Sequence, residues 1–191
     1  MQHTFGPIMQ NGFIVADMAA AIEHWARVMQ VGPFFLFERV AFKEAWYRNN
    51  PATGIDLTVA IAYWGDVQIE LIRQRNDVPS IYTDFQAHGR TGLQHMGVMT
   101  EDLDADLALL KARNVLPVQH GSTPGMRFAY VSTDHHPGGM VELIEATPRA
   151  RAFFERIRQA ARDWDGRGAI VTVPEHSVRE AREHPQARST R

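Results

Sequence analysis

Cysteine is absent from the 191 residues, which excludes disulfides, thiolate nucleophiles, zinc knuckles and iron–sulfur clusters together. Any metal must be held by imidazole, carboxylate or amide donors. A run of about 18 apolar residues is lacking as well, and with it a membrane-spanning helix. The chain starts Met1-Gln2-His3-Thr4-Phe5-Gly6-Pro7, with no basic segment leading into an apolar one, so the sequence reads as a cytoplasmic protein. Surplus positive charge is missing too: 20 Lys+Arg stand against 22 Asp+Glu, a formal charge of -2. Nucleic-acid binding, which draws on a dense cationic surface to release counterions, is not expected. What is present is ordinary globular material, 45% hydrophobic and 22% charged, enough to core one domain or two small fused modules.

The chain repeats itself, which favours two modules. Gln10-Asn11-Gly12-Phe13-Ile14-Val15-Ala16-Asp17-Met18 matches His95-Met96-Gly97-Val98-Met99-Thr100-Glu101-Asp102-Leu103 at the glycine, the aspartate and the apolar residue after it, 85 positions apart. A second echo, Ile69-Glu70-Leu71-Ile72 against Val141-Glu142-Leu143-Ile144, recurs at 72 positions, so the later copy is 13 residues shorter between its landmarks. Each aspartate suits a helix N-cap, because its carboxylate accepts from amide groups that the first turn leaves unpaired. Met18, Ile22, Trp25 and Val28, and then Leu103, Leu107 and Leu110, form the apolar stripes of those helices. Strands are expected at 12–15, 34–48, 55–64 and 67–73, and again at 97–99, 115–120, 127–132 and 140–144, separated by turn-forming Asn, Gly, Asp and Pro.

The fold class that follows is α+β, with a βαβββ module over 8–74, a polar connector over 75–92 and a second βαβββ module over 93–146. Thr147-Pro148 has the form of an N-cap followed by proline at the first helical position, and opens a C-terminal helix over 147–165. Phe154, Ile157, Ala161 and Trp164 mark its inward side. Residues 166–191 carry few large apolar side chains and are expected to form a loosely held tail.

Side chains alternate across a strand. In Val67-Gln68-Ile69-Glu70-Leu71-Ile72, Ile69 and Leu71 take one face and Glu70 the other; Glu142 is placed in the same way between Val141 and Leu143. Gln10 and His95 hold equivalent positions on the first strands. If the modules pair about a pseudo-twofold axis, Gln10, Glu70, His95 and Glu142 converge. One imidazole with three oxygen donors suits zinc, nickel, cobalt, manganese or ferrous iron.

This doubled pattern, with Gln10 and His95 two residues before Gly12 and Gly97 and with Glu70 and Glu142 inside Ile/Val-Glu-Leu-Ile, resembles the vicinal oxygen chelate superfamily. That superfamily contains the glyoxalases, bleomycin-resistance proteins, extradiol dioxygenases and methylmalonyl-CoA epimerases. The resemblance covers about residues 8 to 146. It implies a cup-shaped mixed sheet, a divalent metal and a homodimer. The ligand order Gln, Glu, His, Glu is similar to that of glyoxalase I. It departs from the epimerases, which place a His at Gln10 and a Gln at Glu70, and from the two-His-one-carboxylate set of the dioxygenases. The glutathione contacts of glyoxalase I are not matched, since Ile14 and Gln74 stand where it has arginine and asparagine.

The resemblance further implies chelation of two vicinal substrate oxygens and proton removal next to a carbonyl or thioester. Glu142 would be the catalytic base, Glu70 its near-symmetric partner and Asp56 a reserve. The expected activity is therefore that of a metal-dependent isomerase or lyase. The alternatives are a non-catalytic protein that binds an antibiotic-like small molecule, and an iron-dependent dioxygenase. Phe34, Phe35, Phe37, Phe42, Trp46 and Tyr63 are bulky side chains on strands expected to line the cup, which favours a partly hydrophobic small-molecule substrate. Trp46 and Tyr63 are the candidate apolar contacts. Arg127 and Arg48 are candidates for an anionic group, and His136, before Pro137-Gly138-Gly139, for a loop over the substrate.

Overall fold

Eleven strands and four helices form in a computed structural model that describes residues 5–40, 42–132 and 139–174. In chain order these are β1 (Ile8–Ile14), α1 (Met18–Arg27), β2 (Phe34–Phe37), β3 (Glu44–Tyr47), β4 (Asn50–Pro51), β5 (Leu57–Trp64), β6 (Val67–Gln74), α2 (Ile81–Ala87), β7 (Gly92–Thr100), α3 (Leu103–Ala112), β8 (Pro117–Ser122), β9 (Arg127–Ser132), β10 (Met140–Glu145), α4 (Pro148–Arg162) and β11 (Ile170–Thr172). The strands form one mixed sheet in the order β11-β2-β5-β6-β1-β7-β10-β9-β8-β3-β4. In each half the first strand runs parallel to the last, β1 to β6 and β7 to β10, and β1 meets β7 antiparallel at the centre. The expected doubling is thus visible as two βαβββ units joined edge to edge.

The helices on the outer face are started by the repeat's aspartates. Asp17 accepts from the Ala20 amide and Asp102 from the Ala105 amide. Met18 and Ile22 of α1 pack on Phe34, Ala60, Ala62, Ile69 and Leu71, the two alanines giving the helix room to approach. Leu103 and Leu110 of α3 pack on Val98, Ala129, Val131 and Leu143. Val28, read as part of the first stripe, lies just beyond α1 and is exposed.

The inner face is covered by the chain's own α2 and α4. Thr147 caps α4 by accepting from the Ala150 amide, with Pro148 at the first helical position. Phe154 and Ile157 are buried against the sheet, each stabilising the packing by roughly 1.5–3 kcal/mol. Trp164 lies past the end of α4 and donates from Nε1 to the Arg167 carbonyl.

Several expectations are corrected. The stretch 34–48 is two strands, β2 and β3, and the hairpin β3–β4 leaves its own half to pair with β8 at the far rim of the other. The connector contains α2, whose Ser80 and Thr83 form a reciprocal capping box and whose Ile81 and Tyr82 are buried. The tail contributes β11, which pairs in parallel with β2.

Candidate metal centre

Two adjacent rows of the inner face carry the predicted donors. One row runs Ile61, Glu70, Gly12, His95, Met140 across β5, β6, β1, β7 and β10. The next runs Tyr63, Gln68, Gln10, Gly97, Glu142, Tyr130, Gln119, Tyr47. Side-chain alternation sends Ile69, Leu71 and Leu143 to the outer helices, and so turns Glu70 and Glu142 inward.

The register explains the repeat's glycines. Gly12 stands opposite His95, and a Cβ on it would fall 1.8 Å from His95 Cε1; Gly97 stands opposite Gln10, and a Cβ there would fall 2.4 Å from Gln10 Oε1. Each copy's glycine is the space that the other copy's donor occupies, which is why donor and glycine recur together two residues apart.

His95 is fully buried, with Nε2 3.3 Å from Glu70 Oε2 and 3.5 Å from Glu142 Oε2. One ligand atom from each of the three lies within 4.8 Å of the others. Donors at about 2.0–2.2 Å from a single ion stand within roughly 4.4 Å of one another, so a contraction of a few tenths of an ångström completes the site. Gln10 Oε1, Glu70 Oε2 and His95 Nε2 are buried without a hydrogen-bond partner. These are three of the four candidate ligands, each with a buried donor atom that makes no hydrogen bond. The donor set fits a divalent metal, in accord with the nitrogen and oxygen chemistry expected of such ions.

A β-bulge sets the histidine. The pairing passes from Gly12–His95 to Phe13–Leu93, so Gln94 is the extra residue. Its Oε1 lies 2.8 Å from His95 Nδ1, and its Nε2 donates to Met140 Sδ at 3.2 Å. With Nδ1–H donating to Gln94, Nε2 is left to face the carboxylates. Gln10 is oriented likewise, its Nε2 donating to Gln68 Oε1 at 2.5 Å while Gln68 Nε2 donates to the Tyr63 hydroxyl at 3.3 Å.

Burial and charge act together on these groups. Burial raises the Glu70 carboxyl above its usual range, Glu142's charge adds to that, and His95 opposes it. Burial depresses the His95 imidazole, but Glu142 and then Glu70 outweigh it and bring the value up to about 9. The Tyr130 ring stands edge-on to His95 with centroids 5.1 Å apart, and the Tyr82 hydroxyl donates to that of Tyr130 at 3.2 Å. Burial, followed by the charge of Glu142, pushes both phenols upward, so they remain donors.

The other candidates are placed differently. Tyr63 lies on the inner face in the Gln68–Gln10 row, as expected of a cup residue. Trp46 does not: Ala45 and Tyr47 fill the inner core, alternation sends Trp46 outward, and there it stacks on His120 with centroids 6.1 Å apart. Arg127 also faces out, since Phe128 and Tyr130 take the inner positions of β9, and its guanidinium is held by Glu145 and Asp104. Arg48 pairs with Asp84, and Asp56 with Arg75, away from the centre. Phe34 packs under α1, whereas Phe35, Phe37 and Phe42 join the inner cluster. His136 lies outside the described residues. Gln68, Gln94, Tyr82 and Tyr130 were not singled out from the sequence. Strand alternation marks Gln68 and Tyr130 as inward-facing, and the Ser80-x-x-Thr83 spacing marks the helix that carries Tyr82.

Solved structures share the architecture. A hypothetical protein from Bacillus halodurans C-125 superposes with a TM-score of 0.57 at 14% identity, covering 74% of this chain and 94% of its own. Methylmalonyl-CoA epimerase from Mycobacterium tuberculosis gives 0.56 at 21% identity, covering 80% and 97%. A Streptomyces coelicolor methylmalonyl-CoA epimerase variant in complex with 2-nitronate-propionyl-CoA gives 0.53 at 17%, covering 76% and 98%. At these identities the likeness is one of fold. No curated protein matches the sequence. Residues 9–130 match the sequence family described as the Glyoxalase/Bleomycin resistance protein/Dioxygenase superfamily. With its two βαβββ halves and a match over more than half its length, the chain belongs to that superfamily.

Proposed function

We propose that the protein is a metal-dependent isomerase or lyase that removes a proton beside a carbonyl or thioester. The observation that supports this is the meeting of Glu70, His95 and Glu142, one ligand atom of each within 4.8 Å of the others, with Gln10 on the neighbouring strand position carrying a buried Oε1 that makes no hydrogen bond. Leaving a buried polar atom unpaired costs about 1–3 kcal/mol. That cost falls on Gln10 Oε1, and two carboxylates crowded onto one buried imidazole are accounted for better by a bound cation than by packing. Gln10, Glu70, His95 and Glu142 would hold a divalent ion, which when bound supplies Lewis-acid polarisation of a substrate oxygen.

The chain's own groups supply the rest. Glu142 takes the substrate's C–H proton. Glu70, its counterpart across the pseudo-twofold axis, is positioned to return a proton from the opposite side in an isomerase. A carboxylate base so placed accelerates such a step by about 10² to 10⁴. Tyr130 walls the histidine, and the packed aromatic residues around it exclude water. Gln94 keeps the imidazole turned toward the carboxylates.

Two measurements on the purified full chain test the reading. Metal analysis should find one zinc, nickel, cobalt or manganese per chain in the wild type, and none in His95→Ala or Glu142→Ala. Solvent deuterium should enter the position beside the carbonyl of a 2-oxo or acyl-thioester substrate. A metal-free protein that binds such molecules without exchange would instead be a sequestering protein, and stoichiometric oxygen-sensitive iron would indicate a dioxygenase.

A further inference from the structure

Helix α4 does more than cover the sheet. Phe154 and Ile157 seat it on the inner face, and Arg158, next to Ile157 and one turn after Phe154, reaches the same face. The guanidinium carbon of Arg158 lies 4.9 Å from the centroid of the Tyr63 ring. Its Nε is buried and has no acceptor; among the described residues it is the one such side-chain atom outside the proposed donor set. The acid beside it, Glu155 on the same helix, is 3.5 Å from Nη1 and is shared with Arg162, whose Nη1 is 3.9 Å away. Glu155 is also 57% exposed, so water screens this pair, and the guanidinium's other neighbour is Tyr63.

From that guanidinium a continuous series of contacts leads to the centre. Arg158 stacks on Tyr63, the Tyr63 hydroxyl accepts from Gln68, and Gln68 accepts from Gln10, whose other side-chain atom belongs to the donor set. Tyr63, Gln68 and Gln10 are direct register partners on three neighbouring strands. At about 4.8 Å per strand, Tyr63 is roughly 10 Å from Gln10.

Resting on the metal reading above, we infer that Arg158 recognises a carboxylate at the end of the substrate remote from its chelating oxygens. The substrate class is a small acid carrying two vicinal oxygens at one end and a second carboxylate at the other. A planar guanidinium held against an aromatic ring presents its Nε–H and an Nη–H side by side, matching both oxygens of a carboxylate. Such a group would give Arg158 Nε the acceptor it lacks, as the chelating end would engage the unsatisfied donors.

The test uses the full chain loaded with cobalt, whose visible absorption reports chelation. Dissociation constants are measured for pyruvate, 2-oxoglutarate, 2-oxoadipate and the neutral amide 2-oxoglutaramate, on wild type, Arg158→Gln and Arg158→Lys. Cobalt stoichiometry and thermal unfolding are checked for each. At least one of the two dicarboxylates should bind wild type ten- to a hundredfold more tightly than pyruvate or the amide. That advantage should shrink to within about twofold in Arg158→Gln and survive in part in Arg158→Lys, with cobalt content unchanged. Cobalt bound without any advantage for the second carboxylate, or with the same advantage in Arg158→Gln, overturns the role of Arg158 alone. Failure of the wild type to bind cobalt overturns the metal reading and this inference with it.

Discussion

Replacing Gly12 by alanine tests the register that builds the centre. The new methyl carbon would fall 1.8 Å from His95 Cε1 and 2.2 Å from Nε2, where carbon contacts settle at about 3.5–4.0 Å. The ring must leave, and it is fully buried, so its displacement disturbs close-packed neighbours. Overpacking of this kind costs about 1–3 kcal/mol, which in a chain of this size lowers the unfolding midpoint by roughly 2–12 °C. Metal–ligand distances tolerate only about 0.2 Å, and we expect cobalt or zinc affinity to fall at least a hundredfold. Combining Gly12→Ala with His95→Ala isolates the cause, because the second substitution vacates the space that the methyl needs. Urea unfolding of the metal-free proteins should give a coupling of about 1–3 kcal/mol between the two sites. Additivity within about 0.5 kcal/mol, or wild-type metal affinity in Gly12→Ala, would refute the pairing of Gly12 with His95.

Three further outcomes are expected. Gln94→Leu removes the acceptor at His95 Nδ1 and should weaken metal binding about 10- to 100-fold, whereas Gln94→Glu should retain it; titration against a chelator decides. His95, raised from 6.5 to about 9 by its carboxylates against the effect of burial, binds its proton more tightly in the folded chain. The stability this contributes is complete below pH 6.5 and lost as pH rises through about 9, so metal-free unfolding free energy should fall across that window. Metal uptake at pH 7.5 should accordingly expel a proton or more, seen as a calorimetric enthalpy that varies with the buffer; an invariant enthalpy would contradict the assignment. Tyr82→Phe deletes the hydroxyl contact with Tyr130 and should cost about 0.5–1.5 kcal/mol in chemical unfolding, a change of under 0.2 kcal/mol being evidence against that bond.

The convergence of Glu70, His95 and Glu142 was legible in the sequence because two independent regularities pointed to it. Strand alternation turned Glu70 and Glu142 away from their apolar neighbours, and the repeat placed Gln10 and His95 at matching positions. The same alternation applied to Arg127 and Trp46 gives the outer face, since Phe128, Tyr130, Ala45 and Tyr47 fill the inner one, which runs against the expectation of Trp46 as a cup residue. Helix α2 spans seven residues, too few for a periodic stripe to emerge. The hairpin β3–β4 and strand β11 find partners far along the chain, and local patterning contains no information on such pairings. Gln94 became a neighbour of the His95 ring only through a bulge, which no residue type announces.

The displaced hairpin has a consequence for assembly. By crossing to β8, the short β3–β4 segment caps what would otherwise be the free margin of the second half, and among the described residues the terminal strands of the sheet become β4, two residues long, and β11, three. Margins this brief offer too few open amide and carbonyl groups to template another chain. A second copy of the chain would thus find little backbone ladder to extend at the ends of the described sheet.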